Sequence, residues 1–290
     1  MNIKNGEELI EICAKENINI YDFAIKEEMT ESGLKREDVY QKMKENLEVM
    51  ESSGLAGINK KVISVSGLIG GDAKKMYDYS KGKTLSGSTM TKAMAYALST
   101  SEFNASMGKI VAAPTAGASG ILPAVFLIMR EEHGMTTDDL VKGLFTASAI
   151  GGIVAQNATI SGAEGGCQAE CGAASAMAAG AVVEMMGGSP KEALNAGAIV
   201  FKNILGLVCD PVAGLVEIPC AKRNASGAVN ALAAADMSLA GIESKIPFDE
   251  TVSAMYKIGK SLPESLRETG IGGLAGTKTG KKLSKKVFGN

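Results

Sequence analysis

Histidine is nearly missing: His133 is the only one in 290 residues. That excludes a Ser-His-Asp triad within this chain and any metal site built on histidines. A charge excess of either sign is missing too. Thirty basic and 32 acidic residues leave a net charge of −2, and the pI is 5.7, so the basic face that a nucleic-acid binder needs is not there. No stretch of 18 residues is wholly apolar. The nearest, Gly172 to Gly188, carries Glu184 and is expected to be a buried helix rather than a membrane span. Prolines number seven and hydrophobic residues make up 46%, which excludes a disordered or collagen-like chain.

The first residues, MNIKNGEELIEICAKEN, are charged and amphipathic, unlike a secretory leader. Five cysteines, an odd number, then point to a cytoplasmic protein in a reducing compartment. Clustered thiols there mean metal or catalysis more often than disulfides. Strand-like runs are few, with KIVAA at 109–113 the best of them. VISVSGLIGG at 62–71 fits either a short strand or a connector.

What is present is glycine, 35 residues, and from Ser86 onward a composition dominated by Gly, Ala, Ser and Met. Small side chains let helix backbones approach closely. The spacing of apolar residues predicts helices over about 88–100, 121–132, 136–157, 169–187, 190–207, 222–241, 249–260 and 277–286. Thr137-Asp138-Asp139 and Ser189-Pro190-Lys191-Glu192 offer caps for two of them. Upstream, Leu9, Ile10, Cys13 and Ala14 share a face, and Tyr21, Ala24 and Ile25 repeat it. A third helix is expected from near Lys35 to the Ser52-Ser53-Gly54 breaker. The expected fold is therefore all-α: one compact, Gly/Ala-rich domain over 1–290 with few short strands. Residues 1–56 would form a helical region packing on an 86–290 core. His133, before Gly134 at a helix end, suits a cation set against the helix dipole.

Chemistry concentrates in three places. Cys167 and Cys171 lie in SGAEGGCQAECG, and Cys209 and Cys220 frame CDPVAGLVEIPC. Neither a zinc ribbon nor a ferredoxin has this spacing. The residues alone leave two equal readings: ordinary buried thiols, or thiolates from two segments holding one cluster. AAPTAGASGILPA at 112–124 places Thr115, Gly117, Ser119 and Gly120 in a small-residue loop ahead of a helix. It lacks the P-loop order. A loop at a helix start can bind a carboxylate or phosphate, and a turn needed for close packing explains it equally well. Asn157 and Ser161, ahead of the first cysteine, can bond a substrate or cap a helix.

Taken together, PTAGASGILPAV, NATISGAEGGCQAECG and CDPVAGLVEIPCAKRN resemble the iron–sulfur-dependent L-serine dehydratases, most nearly the α chain of the two-chain type. The likeness spans essentially the whole chain and is strongest over 86–245. It implies an all-helical domain carrying a 4Fe–4S cluster on Cys167, Cys209 and Cys220. Cys171 falls outside that set because single-chain relatives have another residue there. One iron would then lack a protein thiolate and could act as a Lewis acid, like the open position of a catalytic zinc. L-serine would bind there, lose its α-proton to a base and then hydroxide, and end as pyruvate and ammonia.

The resemblance also maps Thr115, Gly117 and Gly120 onto the family's P-T-x-G-x-x-G loop as a cradle for the substrate. Ser119 would join it, Asn157 and Ser161 would line the same pocket, and Lys222-Arg223-Asn224 would supply positive charge. Single-chain members carry a Ser-Ser-His-Thr motif, absent here, so the base is expected from a separate β chain. They also tend to carry a cysteine near the C-terminus, where this chain ends Val287-Phe288-Gly289-Asn290. The alternative on the same scaffold is an L-cysteine desulfidase. A pyridoxal-phosphate enzyme using Lys109 would leave the cysteines without a purpose, and a non-catalytic metal module would ignore serine.

Overall fold

Glycine, alanine and well-capped apolar runs produce helices almost from end to end. The computed structural model describes residues 3–289. In chain order the helices are α1 (Gly6–Glu16), α2 (Ile20–Ser32), α3 (Arg36–Ala56), α4 (Asp72–Ser80), α5 (Gly87–Ala105), α6 (Ile121–His133) and α7 (Thr137–Asn157). They continue with the single turn α8 (Gly162–Gly165), then α9 (Cys167–Met185), α10 (Pro190–Ile204), α11 (Cys220–Leu239), α12 (Phe248–Ser261) and α13 (Lys278–Phe288). Among the described residues, β structure amounts to two isolated bridges, Ile63 with Gly70 and Cys209 with Arg267. KIVAA at 109–113 forms no strand, because no extended segment among the described residues pairs with it. No helix of the described residues is long and apolar enough to cross a membrane.

The caps are local chemistry. Ser189 and Glu192 form a capping box with Pro190 at the first helical position of α10. The box of α7 pairs Asp139 with Thr136, one residue before the expected Thr137. Gly134, with φ 67°, closes α6 after His133.

Helix α3 runs through the expected breaker. Ser53 is buried and its hydroxyl donates to the Met50 carbonyl at 2.8 Å. Gly54 lets α6 approach; a methyl there would lie 2.5 Å from Leu127. These small residues are contact points rather than stops.

Helix α9 is the centre. Every residue from Cys167 to Val183 is buried, as an all-round apolar helix must be. Helices α10, α7, α11 and α6 surround it. Phe201, Phe126 and Tyr96 are among the largest fully buried side chains. Each such side chain contributes roughly 1.5–3 kcal/mol by leaving water.

Carboxylates from neighbouring elements cap three helices that lack complete caps of their own. Glu184 of α9 accepts the amides of Ile20 (2.6 Å) and Tyr21 (3.3 Å) at the start of α2, and the Thr146 hydroxyl. Asp249 of α12 accepts those of Gly6 (2.8 Å) and Glu7 (3.0 Å) at the start of α1. Glu102 of α5 accepts Asp72 (2.6 Å) and Ala73 (3.3 Å) at the start of α4. A negative charge at a helix start satisfies orphan amides and opposes the dipole. Helix α4, which periodicity did not suggest, owes its start to this contact.

Candidate metal centre and active site

Two of the cysteines open helices. Gly166, at φ 77°, turns the chain from α8 into α9, so Cys167 is the first helical residue. A side chain at 166 would also strike the Leu207 carbonyl at 2.7 Å. Cys220 is the first residue of α11. Both helices therefore start two residues earlier than the periodicity predicts, which sets each thiol at a positive dipole end. Cys209 comes from the irregular segment between α10 and α11. Its amide donates to the Leu266 carbonyl at 2.9 Å, and its carbonyl accepts from Glu268 at 2.7 Å.

All five cysteines are free and buried. Cys167, Glu170 and Cys209 present ligand atoms within 4.8 Å of one another, all buried. Cys171, one turn after Cys167, and Cys209 bring their thiols to the Cys167 sulfur, and Arg223 donates to it at 3.4 Å. The neighbouring thiols and that charge hold Cys167 well below the usual thiol range. Cys220 lies close enough to feel the Cys167 and Glu170 charges, and burial pushes it up to about 12. Burial likewise lifts Glu170 to about 7, helped by the charges of Cys167 and Glu268 and opposed by the Thr115 hydroxyl.

The small-residue loop sits against this cluster from two sides. The Thr115 hydroxyl donates to Glu170. Gly117 has no room for a side chain: a methyl would lie 2.5 Å from the Glu170 carboxylate. On the other side Asn224 of α11 donates to the Gly117 carbonyl (2.6 Å) and accepts the Gly120 amide (2.8 Å). Thr115, Gly117 and Gly120 are thus brought beside the thiols. The Ser119 hydroxyl is buried and engaged with the Ala116 carbonyl at 2.7 Å. Asn157 is exposed, and its amide donates to the carbonyls of Lys4 and Ile153. Ser161 is half-buried and directly precedes Gly162. A methyl on Gly162 would lie 3.1 Å from Cys209 Sγ and 3.3 Å from carboxylate oxygens of both Glu170 and Glu268.

The basic triplet divides its work. Lys222 is exposed and pairs with Asp72 at 2.7 Å. Arg223 reaches Cys167, the Val208 carbonyl (2.8 Å) and Asp210 (2.8 Å). Asn224 holds the loop. Asp210 in turn accepts the Leu274 amide at 2.6 Å, so one buried pair ties the C-terminal segment to the cysteine segment.

Sequence reasoning missed Glu170, Glu268 and Asp210. Glu170 had a signal: it lies three residues after Cys167, on the same helix face. Glu268 had none, because it arrives through a distant segment at φ 64°.

Free thiols gathered at two helix starts around a buried carboxylate, with no disulfide among them, define a helical protein with a buried metal-ligating site. Soft sulfur donors of this kind suit iron–sulfur clusters or zinc, and the guanidinium and helix ends favour anionic sulfur. The donor set therefore fits an iron–sulfur group.

The chain belongs to the serine dehydratase alpha chain family, whose model matches residues 15–275. It is 53% identical to the probable L-serine dehydratase alpha chain of Bacillus subtilis (strain 168), over 99% of this chain and 95% of that one. The L-serine dehydratase alpha chain of Peptoniphilus asaccharolyticus is 49% identical, over 97% of each. L-serine dehydratase TdcG of Escherichia coli (strain K12) is 44% identical over 62% of this chain but only 40% of its own length.

Proposed function

We propose that this chain is the catalytic α subunit of an iron–sulfur L-serine ammonia-lyase. It converts L-serine to pyruvate and ammonia together with a β chain. The observation that carries the reading is the convergence of Cys167, Cys209 and Glu170 beside the Thr115–Gly120 loop. Cys167, Cys209 and Cys220 would hold a 4Fe–4S cluster. Bound there, the cluster would supply an iron without a protein thiolate, a Lewis acid for the serine hydroxyl and carboxylate.

The chain's own residues prepare the rest. Arg223 and the α9 dipole keep Cys167 anionic and ready to ligate. Asn224 and Thr115 fix the loop on both flanks, so its small residues leave room for substrate beside the thiols. Burial by α9, α10 and α11 excludes water and strengthens the local field. Thr115, Gly117, Gly120 and Ser161 are assigned to the substrate side; the bonds made by Ser119 and Asn157 give them structural duties.

The test is anaerobic reconstitution of the chain with iron and sulfide, followed by visible spectra with and without L-serine. The reading requires a broad iron–sulfur band that changes with serine, and pyruvate release by the α/β complex that stops on iron chelation. Pyruvate release surviving full chelation, or faster sulfide release from L-cysteine, would sink it.

A further inference from the structure

The search settles on a stretch of backbone. From residue 108 to 112 the chain runs with no helix, turn or bend. It then enters Thr115, the first residue of the loop beside the thiols. Lys109, Ile110, Val111, Ala112 and Ala113 make no backbone hydrogen bond, by amide or by carbonyl, among the described residues. Backbone polar groups demand partners, and five consecutive residues here find none in the backbone of the described residues.

Their side chains show the pattern of a strand. Val111 packs against the core and Ala113 is buried, while Ala112 between them is exposed. Ile110 and Val111 favour extended backbone. A segment with strand sequence, strand alternation and open hydrogen-bonding groups is an edge awaiting a partner.

Apolar side chains flank that edge. Met107, 84% exposed, immediately precedes it. Val65, 76% exposed, is tied to the end of α5 just upstream, where its amide donates to the Ala105 carbonyl at 2.9 Å. Ile63 from the same hairpin is also exposed. An edge that is unpaired, apolar at its rim and protected by one lysine is an aggregation liability unless something covers it.

Resting on the two-chain reading above, we propose that residues 109–113 are the docking edge for an extended strand of the β chain. Main-chain bonds to this edge supply affinity, and Ile63, Val65 and Met107 receive the strand's apolar side chains. The family is that of an alpha chain, so a second chain is the occupant that the assembly requires. Because the edge leads without interruption into Thr115, docking steadies the substrate loop from its N-terminal side. The β chain thereby couples to the site through this contact.

Hydrogen–deuterium exchange on the α chain alone and on the co-expressed α/β complex tests this. Amides 109–113 should exchange freely in the isolated chain and slow at least tenfold in the complex. Val65→Lys and Met107→Lys, both at exposed positions, should leave the isolated chain's melting unchanged and weaken α/β association at least tenfold. Ala112→Pro, which removes one edge amide, should do the same. A complex that forms with 109–113 unprotected would overturn the proposal, as would full affinity in all three variants. Failure of the two chains to associate would overturn it too. Protection in the isolated chain that grows with its concentration would assign the edge to a second copy, against the proposal. Pyruvate formation is scored separately: a protected edge in a complex inactive on L-serine would support the docking and refute the substrate.

Discussion

The Arg223–Asp210 pair offers the most exacting test of how the cysteine segments are held. Arg223 NH2 lies 2.8 Å from Asp210, whose side chain is 3% exposed, and NH1 donates to the Val208 carbonyl at 2.8 Å. Replacing Arg223 with Met removes the guanidinium and strands a buried carboxylate with the Leu274 amide as its remaining donor. Breaking a buried pair in this way costs about 3–5 kcal/mol, with about 1 kcal/mol more for the lost bond to Val208. The single variant should therefore lose about 4–6 kcal/mol of unfolding free energy. Asp210→Asn keeps an acceptor for Leu274 and removes the charge. Combined with Arg223→Met, it should restore about 2 kcal/mol, because no lone charge remains buried. Urea unfolding of the cluster-free chain at pH 7, followed by far-UV circular dichroism, measures all four corners of the cycle. Additive losses, with coupling under about 0.5 kcal/mol, would refute the claim that these two side chains act as a pair.

Other outcomes follow from the same geometry. Gly117→Ala sets a methyl 2.5 Å from the Glu170 carboxylate; it should cost about 1–3 kcal/mol and raise KM for L-serine, checked by urea unfolding and steady-state pyruvate formation. Cys167→Ser should abolish iron retention, whereas Cys171→Ser should keep it, read as iron per chain after anaerobic reconstitution. Glu184→Ala leaves the α2 amides of Ile20 and Tyr21 without their acceptor and should cost about 2–4 kcal/mol, seen as a lower urea midpoint. Burial raises the Glu184 carboxyl above its ordinary value of 4.5. The folded chain thus keeps a proton that the unfolded chain loses, and stability falls as pH rises from 4.5 through the folded value. Glu184→Gln should flatten that fall in urea midpoints measured across the range.

Much of this protein is written along the chain. Hydrophobic spacing near 121–133, Ser189-Pro190-Lys191-Glu192 ahead of α10, and Gly134 after His133 act within a few residues. Capping and periodicity are local physics, so a sequence determines them. The three cysteine and glycine motifs likewise carry the family, because thiols and small residues at those spacings serve a site rather than a generic core. Where local signals misled, a distant contact had overruled them. Ser53 and Gly54 look like a stop, yet they are packing points for Thr100 and Leu127. Helix α4 starts where Glu102, thirty residues on, accepts its first amides. Asn157 looks like a substrate ligand, yet its amide binds Lys4.

The site divides in the same way. That the two cysteine segments, which do bring Cys167 and Cys209 together, would meet in one sulfur-rich site was legible by resemblance. That Glu170 stands among the thiols, that Glu268 reaches Gly162 from the far end of the chain, and that Lys222, Arg223 and Asn224 part company were not. Apart from the short spacing of Glu170 from Cys167, those facts depend on contacts between residues tens to more than a hundred positions apart, which no local pattern encodes. The same holds for KIVAA: its strand character is a property of five residues, but whether it pairs depends on a neighbour, and the described residues supply none. The sequence by itself determined most of the helices and their local caps, and it marked the cysteine segments. Only the tertiary structure decided which carboxylates, amides and charges meet those thiols, because that choice is made by packing around α9.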